Sequence, residues 1–271
     1  MAGGIVRRYP FLVTDSHCHY GTGDGLSGPW DTTAPIEEYL TRAREAGIDR
    51  TVLLAPLTSD YRAANRAIGD LLAHRRGRFE AFAFVNPETD RGRIGEMVSE
   101  AVDGDGFCGI KVHWRDGRMT REVAEVARRR RLPVLYDPRG DTATIEMISR
   151  VYPDVAWIIP HLSSFADDWK AQVAFVDQLV RRPNLFADTS GVRYFDVLRD
   201  AVRRAGPAKI LFGTDGPFLH PAVELAKIDA LDLDLADAEL VLGGNITRLT
   251  SRVRRRPSSR AYVASRRPPT R

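Results

Sequence analysis

Eight short runs rich in apolar and β-branched residues recur along the chain: 13–19 (VTDSHCH), 51–56 (TVLLAP), 79–85 (FEAFAFV), 108–114 (CGIKVHW), 133–137 (PVLYD), 155–161 (VAWIIPH), 184–190 (NLFADTS) and 209–215 (KILFGTD). Between them lie stretches with apolar residues three and four apart. Residues 35–46 carry Ile36, Tyr39, Leu40 and Ala43, and residues 61–75 carry Ala64, Ile68, Leu71 and Leu72. Residues 119–131, 141–151, 166–181 and 194–205 repeat the pattern, and 91–102 do so more weakly. Runs of strand length alternating with helix-period segments predict βα units around a parallel sheet. Eight such units predict a (β/α)8 barrel of class α/β, a single domain over residues 1–250. The alternative is a doubly wound open sheet, which would carry a glycine-rich phosphate turn opening a helix after its first strand. Here the first strand ends in His-Cys-His, and the glycines of GTGDGLSG (21–28) open no obvious helix.

A length of 271 residues suits one barrel, and 43% hydrophobic with 28% charged residues is ordinary globular composition. No apolar run approaches the ~18–20 residues of a membrane span, and no secretory signal is seen at the N-terminus. Only Cys18 and Cys108 are present, which predicts free thiols and a cytoplasmic location. The net charge of +4 is concentrated in one place. Residues 252–271 hold eight arginines and no acid, and the remainder carries 32 basic against 36 acidic residues. Residues 251–271 are expected to form a basic, disordered tail. Nucleic acid is not expected as a partner, since no basic groove is interleaved with aromatics.

Active sites of such barrels sit at the C-terminal ends of the strands. Strand one ends with His17 and His19, two residues apart and so on one face of a strand, with Cys18 turned the other way. Two converging imidazoles suit a divalent metal. Strand four ends with Lys111, His113 and Trp114, strand five with Asp137 and then Arg139, strand six with His161. Strand seven ends with Asp188 and Ser190, strand eight with Asp215. Four of six histidines thus fall on one rim; His74 and His220 fall elsewhere.

DSHCH after an apolar run, PHLSS at strand six, LFADTSG at strand seven, ILFGTDGPF at strand eight and LGGNITRL near the end resemble the amidohydrolase superfamily. The chain is most similar to its amidohydrolase-related branch, which includes the aminocarboxymuconate-semialdehyde decarboxylase type, over about residues 12–250. The resemblance implies a distorted (β/α)8 barrel and one divalent metal, Zn ahead of Mn or Fe. It implies His17, His19 and Asp215 as ligands, with Asp215 and His161 as the catalytic pair. One departure stands out. Where the family usually has a ligand histidine after LPV, this chain reads LPVLYD, which places Asp137 there as a candidate fourth ligand. An aspartate can ligate zinc, manganese or iron through oxygen. The alternative is that Asp137 binds no metal.

His113, Lys111 and Arg139 are candidate substrate-binding residues, and a cationic cluster suggests a small-molecule substrate with a carboxylate. Asp188 and Ser190 are read as structural, Cys18 as packing, Trp114 as a wall, and the Gly-Gly-Asn of 243–245 as a tight turn. The expected activity is metal-dependent hydrolysis of a small carboxylated amide, lactone or ester, with metal-dependent decarboxylation as the alternative. A reading of another class, a degenerate barrel that only binds, rests on Asp137. A homo-oligomer is left open.

Overall fold

Sequence-ordered parallel strands have one way to close, in which the last returns beside the first. A computed structural model describes residues 8–253 except 27, 29, 30, 76, 166 and 167; the arginine-rich end from 254 lies outside the described residues. Eight strands pair in parallel in chain order. They are β1 (Thr14–His19), β2 (Arg50–Leu54), β3 (Phe79–Phe84), β4 (Gly109–His113), β5 (Val134–Asp137), β6 (Trp157–Ile159), β7 (Leu185–Asp188) and β8 (Ile210–Leu211). The seam between β8 and β1 is closed by backbone hydrogen bonds beyond the regular ladder. Ser16 N–H donates to Phe212 O (2.9 Å), Asp215 N–H to His17 O (2.7 Å) and His19 N–H to Gly216 O (2.6 Å). The predicted (β/α)8 barrel is the architecture found.

Seven helices fill the crossovers: α1 (Ile36–Ala46), α2 (Tyr61–His74), α3 (Ile94–Ser99), α4 (Arg121–Arg130), α5 (Thr142–Val151), α6 (Trp169–Arg181) and α7 (Phe195–Ala205). Three more follow β8: α8 (Pro221–Asp229), α9 (Leu235–Glu239) and α10 (Asn245–Thr250). Several starts are set by side chains that accept an otherwise unpaired amide. Asp60, Thr120, Asp141 and Asp168 cap α2, α4, α5 and α6 in this way. The weak periodicity of 91–102 yields a short α3 that widens into a π-helical turn over Glu100–Gly104. Among the described residues no helix is long and apolar enough to cross a membrane.

Alternation along each strand separates two apolar layers. Val52, Leu54, Phe82, Leu135, Ile158, Phe186 and Leu211 fill the barrel, and Ile246 and Leu249 of α10 close its floor. Val112, Val134, Tyr136, Trp157 and Ile159 face the helices. Gly109 makes this filling possible: a Cβ there would lie 2.5 Å from the Phe82 ring. The Gly-Gly-Asn segment is not the expected tight turn. Gly243 kinks a helical run that continues into α10. Asn245 is buried, and its amide donates to Pro207 O and Ile210 O, both at 2.8 Å. The side chain has replaced a ladder partner at the foot of β8.

Candidate active site

At the mouth, the two-residue period of β1 is modified by a shift in its register with β2 between Asp15 and Cys18. Such an irregularity re-aims side chains near active sites. His17 and His19 point inward together, while Cys18 is buried in the helix-facing layer, as expected. The fully buried Asp15 fixes the strand across the seam. It accepts from Tyr39 OH (2.6 Å), Thr214 Oγ1 (2.5 Å), Thr214 N–H (2.9 Å) and His17 N–H (3.0 Å). Burial outweighs these donors and raises its carboxyl to about 7.

Three donor atoms meet at one point. His17 Nε2 lies 3.3 Å from His19 Nε2. Asp215 Oδ1 lies 3.4 Å from the first and 3.1 Å from the second. All three residues are buried. Donors held about 2.0–2.2 Å from one ion are about 2.8–3.6 Å apart over octahedral to tetrahedral angles. The triangle has the size of one face of such a coordination sphere. It is the one group of three or more metal-capable side chains so assembled among the described residues, and Asp137 stands outside it.

The outer nitrogen of each imidazole is occupied, which sets the tautomer. His17 Nδ1–H donates to Asp188 Oδ2 (2.7 Å), and His19 Nδ1–H to Ala55 O (2.8 Å). Both Nε2 lone pairs therefore face inward. Burial pushes His17 down to about 4, against the pull of Asp188 and Asp215, so the ring is neutral near pH 7. Burial works to raise Asp215, but the imidazoles of His19, His17 and His161 gathered around it outweigh that and hold the carboxyl well below its usual range. Asp215 sits at φ +55°, in the left-handed region. Gly213 beneath it leaves room for Asp188, whose Oδ1 a Cβ would meet at 2.5 Å.

His161 follows β6 on an unusual turn. His161, Leu162 and Ser163 have φ of +58°, +50° and +82°. Non-glycine residues in this region each cost about 1–3 kcal/mol and persist where surroundings hold them. This turn ends the strand at Ile159, two residues before its expected end. His161 Nδ1–H donates to Ser190 O (2.7 Å), leaving Nε2 toward the interior, 3.9 Å from Asp137 Oδ2.

Asp137 lies on the inner face of β5, and Tyr136 packs toward the helices. Its Oδ1 accepts Arg139 N–H (2.9 Å), and its Oδ2 is 3.3 Å from His113 Nε2. His113 Nδ1 accepts Arg115 N–H, so the ring proton sits on Nε2 and is donated to Asp137. Burial raises Asp137, but His113, its hydrogen bond, His161 and Lys111 together hold the carboxylate ionised. Lys111 is 2% exposed. No hydrogen bond or ion pair to its ammonium forms among the described residues. Burial lowers its pKa, opposed by Asp137, Asp215 and Asp188. Arg139 is exposed at the rim, its guanidinium carbon 4.2 Å from the Trp114 ring centroid, with Arg115 at 5.1 Å.

The rim therefore gathers the residues singled out in the sequence. His74 ends α2 and His220 caps α8, away from it. Asp188 and Ser190, read as structural, touch the site itself: each bonds a histidine that faces the centre. The acid two residues before His17, a D-x-H spacing, was the available sign of the Asp15 cross-link. A cleft of about 440 Å³ lined by Tyr9, Phe11, Arg44, Asp49 and Arg78 lies apart from all of these side chains.

A closed (β/α)8 barrel with two imidazoles and a carboxylate converging at its mouth defines a class of barrel enzyme with a metal-type site. The family model described as amidohydrolase matches residues 14–250, and the chain belongs to that family. No curated protein sequence matches the chain. Among solved structures, the fold is shared with 2,6-dihydroxybenzoate decarboxylase from Rhizobium (19% identity, 89% of this chain and 98% of that chain, TM-score 0.69). It is shared with a putative 2-pyrone-4,6-dicarboxylic acid hydrolase from Pseudomonas putida (17%, 89% and 98%, 0.70). A third is a dihydroxybenzoic acid decarboxylase from a Polaromonas species with bound manganese and 2-nitroresorcinol (18%, 89% and 97%, 0.68). The chain is an enzyme of a metal-dependent superfamily, and both hydrolysis and decarboxylation fit its family and fold.

Proposed function

We propose that the enzyme is a metal-dependent hydrolase of a small carboxylated amide, lactone or ester. The triangle of His17 Nε2, His19 Nε2 and Asp215 Oδ1, with edges of 3.1–3.4 Å, carries this reading. These three residues would hold one divalent ion, zinc foremost because two neutral imidazoles and a carboxylate are its catalytic ligand type, with manganese or iron as competitors. A bound divalent ion polarises a carbonyl and lowers the pKa of water.

The side chains divide the remaining work. Asp215, ionised and at the centre, accepts a proton from the attacking water and returns it to the leaving group. His161, its ring proton held on Nδ1 by Ser190 O, turns the Nε2 lone pair to accept a hydrogen bond from the attacking water. Asp137 orients His113 and faces His161, and its place beside the triangle leaves it available as a further ligand. Lys111, buried and with no acid in ion-pair reach among the described residues, suits a substrate carboxylate. Arg139, stacked on Trp114, would close over the same group at the rim.

Decarboxylation remains the second reading. It is supported by two named decarboxylases among the structural neighbours and by the carboxylate preference that Lys111 confers.

Elemental analysis of the purified protein, followed by a screen of carboxylated lactones, esters, amides and hydroxybenzoates with and without chelator, tests these readings. Chelator-sensitive ring opening or ester cleavage supports the first, and CO2 release the second. Activity indifferent to exhaustive chelation would sink the metal role.

A further inference from the structure

The buried amide of Gln172 touches the strained turn that carries His161. Gln172 lies on α6, fully buried. Its Nε2 donates to two carbonyls, His161 O at 3.1 Å and Ser164 O at 2.8 Å. These are the two ends of the turn in which His161, Leu162 and Ser163 are all left-handed. A left-handed run leaves carbonyls pointing away from any ladder, and a buried carbonyl needs a donor. His161 O also accepts Ser164 N–H at 3.2 Å within the turn, and one side-chain amide with two N–H groups adds a second partner there and serves Ser164 O.

The rest of the first turn of α6 serves the same end. Ser163 Oγ donates to Ala171 O (3.3 Å), and Gly140 N–H, from the turn after β5, donates to Ser163 O (2.6 Å). Gly140 itself has φ +80°, and a Cβ there would come within 3.2 Å of Ala171. The turn that aims His161 is thus fastened to the turn that follows Asp137.

We propose that Gln172 is a positioning residue for His161. Its amide clamps the backbone on either side of the turn so that His161 Nδ1–H meets Ser190 O and Nε2 faces Asp137 and the metal triangle. The inference rests on the functional reading above only in giving His161 a role in the reaction. Its structural content stands apart from that role. The two donated hydrogen bonds set the ring's direction.

The test reads the imidazole directly. Protein labelled with nitrogen-15 histidine has six rings, and the His161 resonances are assigned from His161→Gln. In the unmodified protein His161 should show one tautomer, protonated at Nδ1, with a slowly exchanging proton. Gln172→Met keeps length and apolar packing without donors; Gln172→Asn keeps the amide but withdraws it by one methylene. In each, His161 should become a mixture of tautomers with a fast-exchanging ring proton, while His17 and His19 keep their signatures and zinc titration keeps its midpoint. Retained His17 and His19 signals certify the fold of either variant. An unchanged His161 signature in both overturns the proposal. Loss of all three signatures together in both variants also overturns it, because that is general unfolding and not aiming. Failure of the unmodified protein to take up zinc would fault the functional reading alone and leave the His161 comparison intact.

Discussion

Each imidazole at the centre works through the atom behind it. Asp188 bonds His17 Nδ1–H at 2.7 Å and so keeps the Nε2 lone pair inward. Partners of this kind contribute about 10–100-fold in metal affinity. Asp188→Asn is expected to weaken zinc binding by about that factor, read by competition with a chromophoric chelator; an unchanged dissociation constant would show that His17 needs no orienting acid. Lys111 is expected to act on substrate instead. A hydrogen bond to a charged group is worth about 1.5–3 kcal/mol, so Lys111→Met should raise KM for a carboxylated substrate by about 10–100-fold and leave metal content intact. A KM that does not move would take Lys111 out of recognition. Asp137→Ala and Asp137→His decide the remaining ligand question. If the carboxylate only orients His113 and His161, zinc affinity holds in both variants; a fall in the first, recovered in the second, makes it a ligand. At this scale the sequence showed which residues stand at the strand ends, because i and i+2 share a face, but not that Asp188 and Ser190 bond the facing histidines. It was silent on Gln172, which reaches the site from a helix and through the backbone, and on Ala55, which acts through its carbonyl.

The elements were legible where the period was strong. All eight strands and seven crossover helices fall where apolar spacing put them. The ends differ for local reasons. β6 stops early because the chain enters a left-handed turn at His161. β8 keeps two ladder residues because Phe212 N–H bonds Val241 O and the following residues bond β1. Neither follows from hydrophobic pattern. Packing between neighbouring strands offers its own test. The Phe82 ring fills the space above Gly109, and overpacking a core costs about 1–3 kcal/mol. Gly109→Ala should lower stability by that amount, seen as a melting temperature several degrees lower; an unchanged melting temperature would mean that the ring can move aside. Lys209, at the foot of β8, donates to Arg182 O (2.6 Å) and Leu185 O (2.8 Å). Burial, with the charge of Arg248, pushes it down to about 8. An unfolded lysine titrates near ~10.4, so between these values the unfolded chain binds more protons than the folded one, and stability rises with pH. Urea unfolding at pH 7.5 and 10 should show the native protein gaining on Lys209→Met across that window. A constant difference would place the folded pKa at its ordinary value.

The whole molecule closes its floor with α10 and its wall with the seam between β1 and β8. Ile246 and Leu249 enter the barrel interior, and Asn245 bonds the backbone of Pro207 and Ile210. A chain ending at Val253 is expected to melt as the full chain does, since the described core is complete by then. A chain ending at Gly244 should lose its cooperative transition, because it leaves the floor open. Equal melting of both would show that α10 is an ornament of the fold. The basic composition after residue 253 was plain in the sequence, but nothing in its spacing addresses the barrel.

The seam also imposes an order of events during synthesis. Asp15 and Thr214, which bond across it, are 199 positions apart in the chain, and the histidines and Asp215 lie beside them. A nascent chain emerging from the ribosome exposes His17 and His19 first and supplies the carboxylate only after seven βα units have followed. Until then two imidazoles alone would hold the proposed ion only loosely. On the proposed metal role, tight capture and completion of the barrel would become one event, and the ion that stays would be selected by the finished mouth.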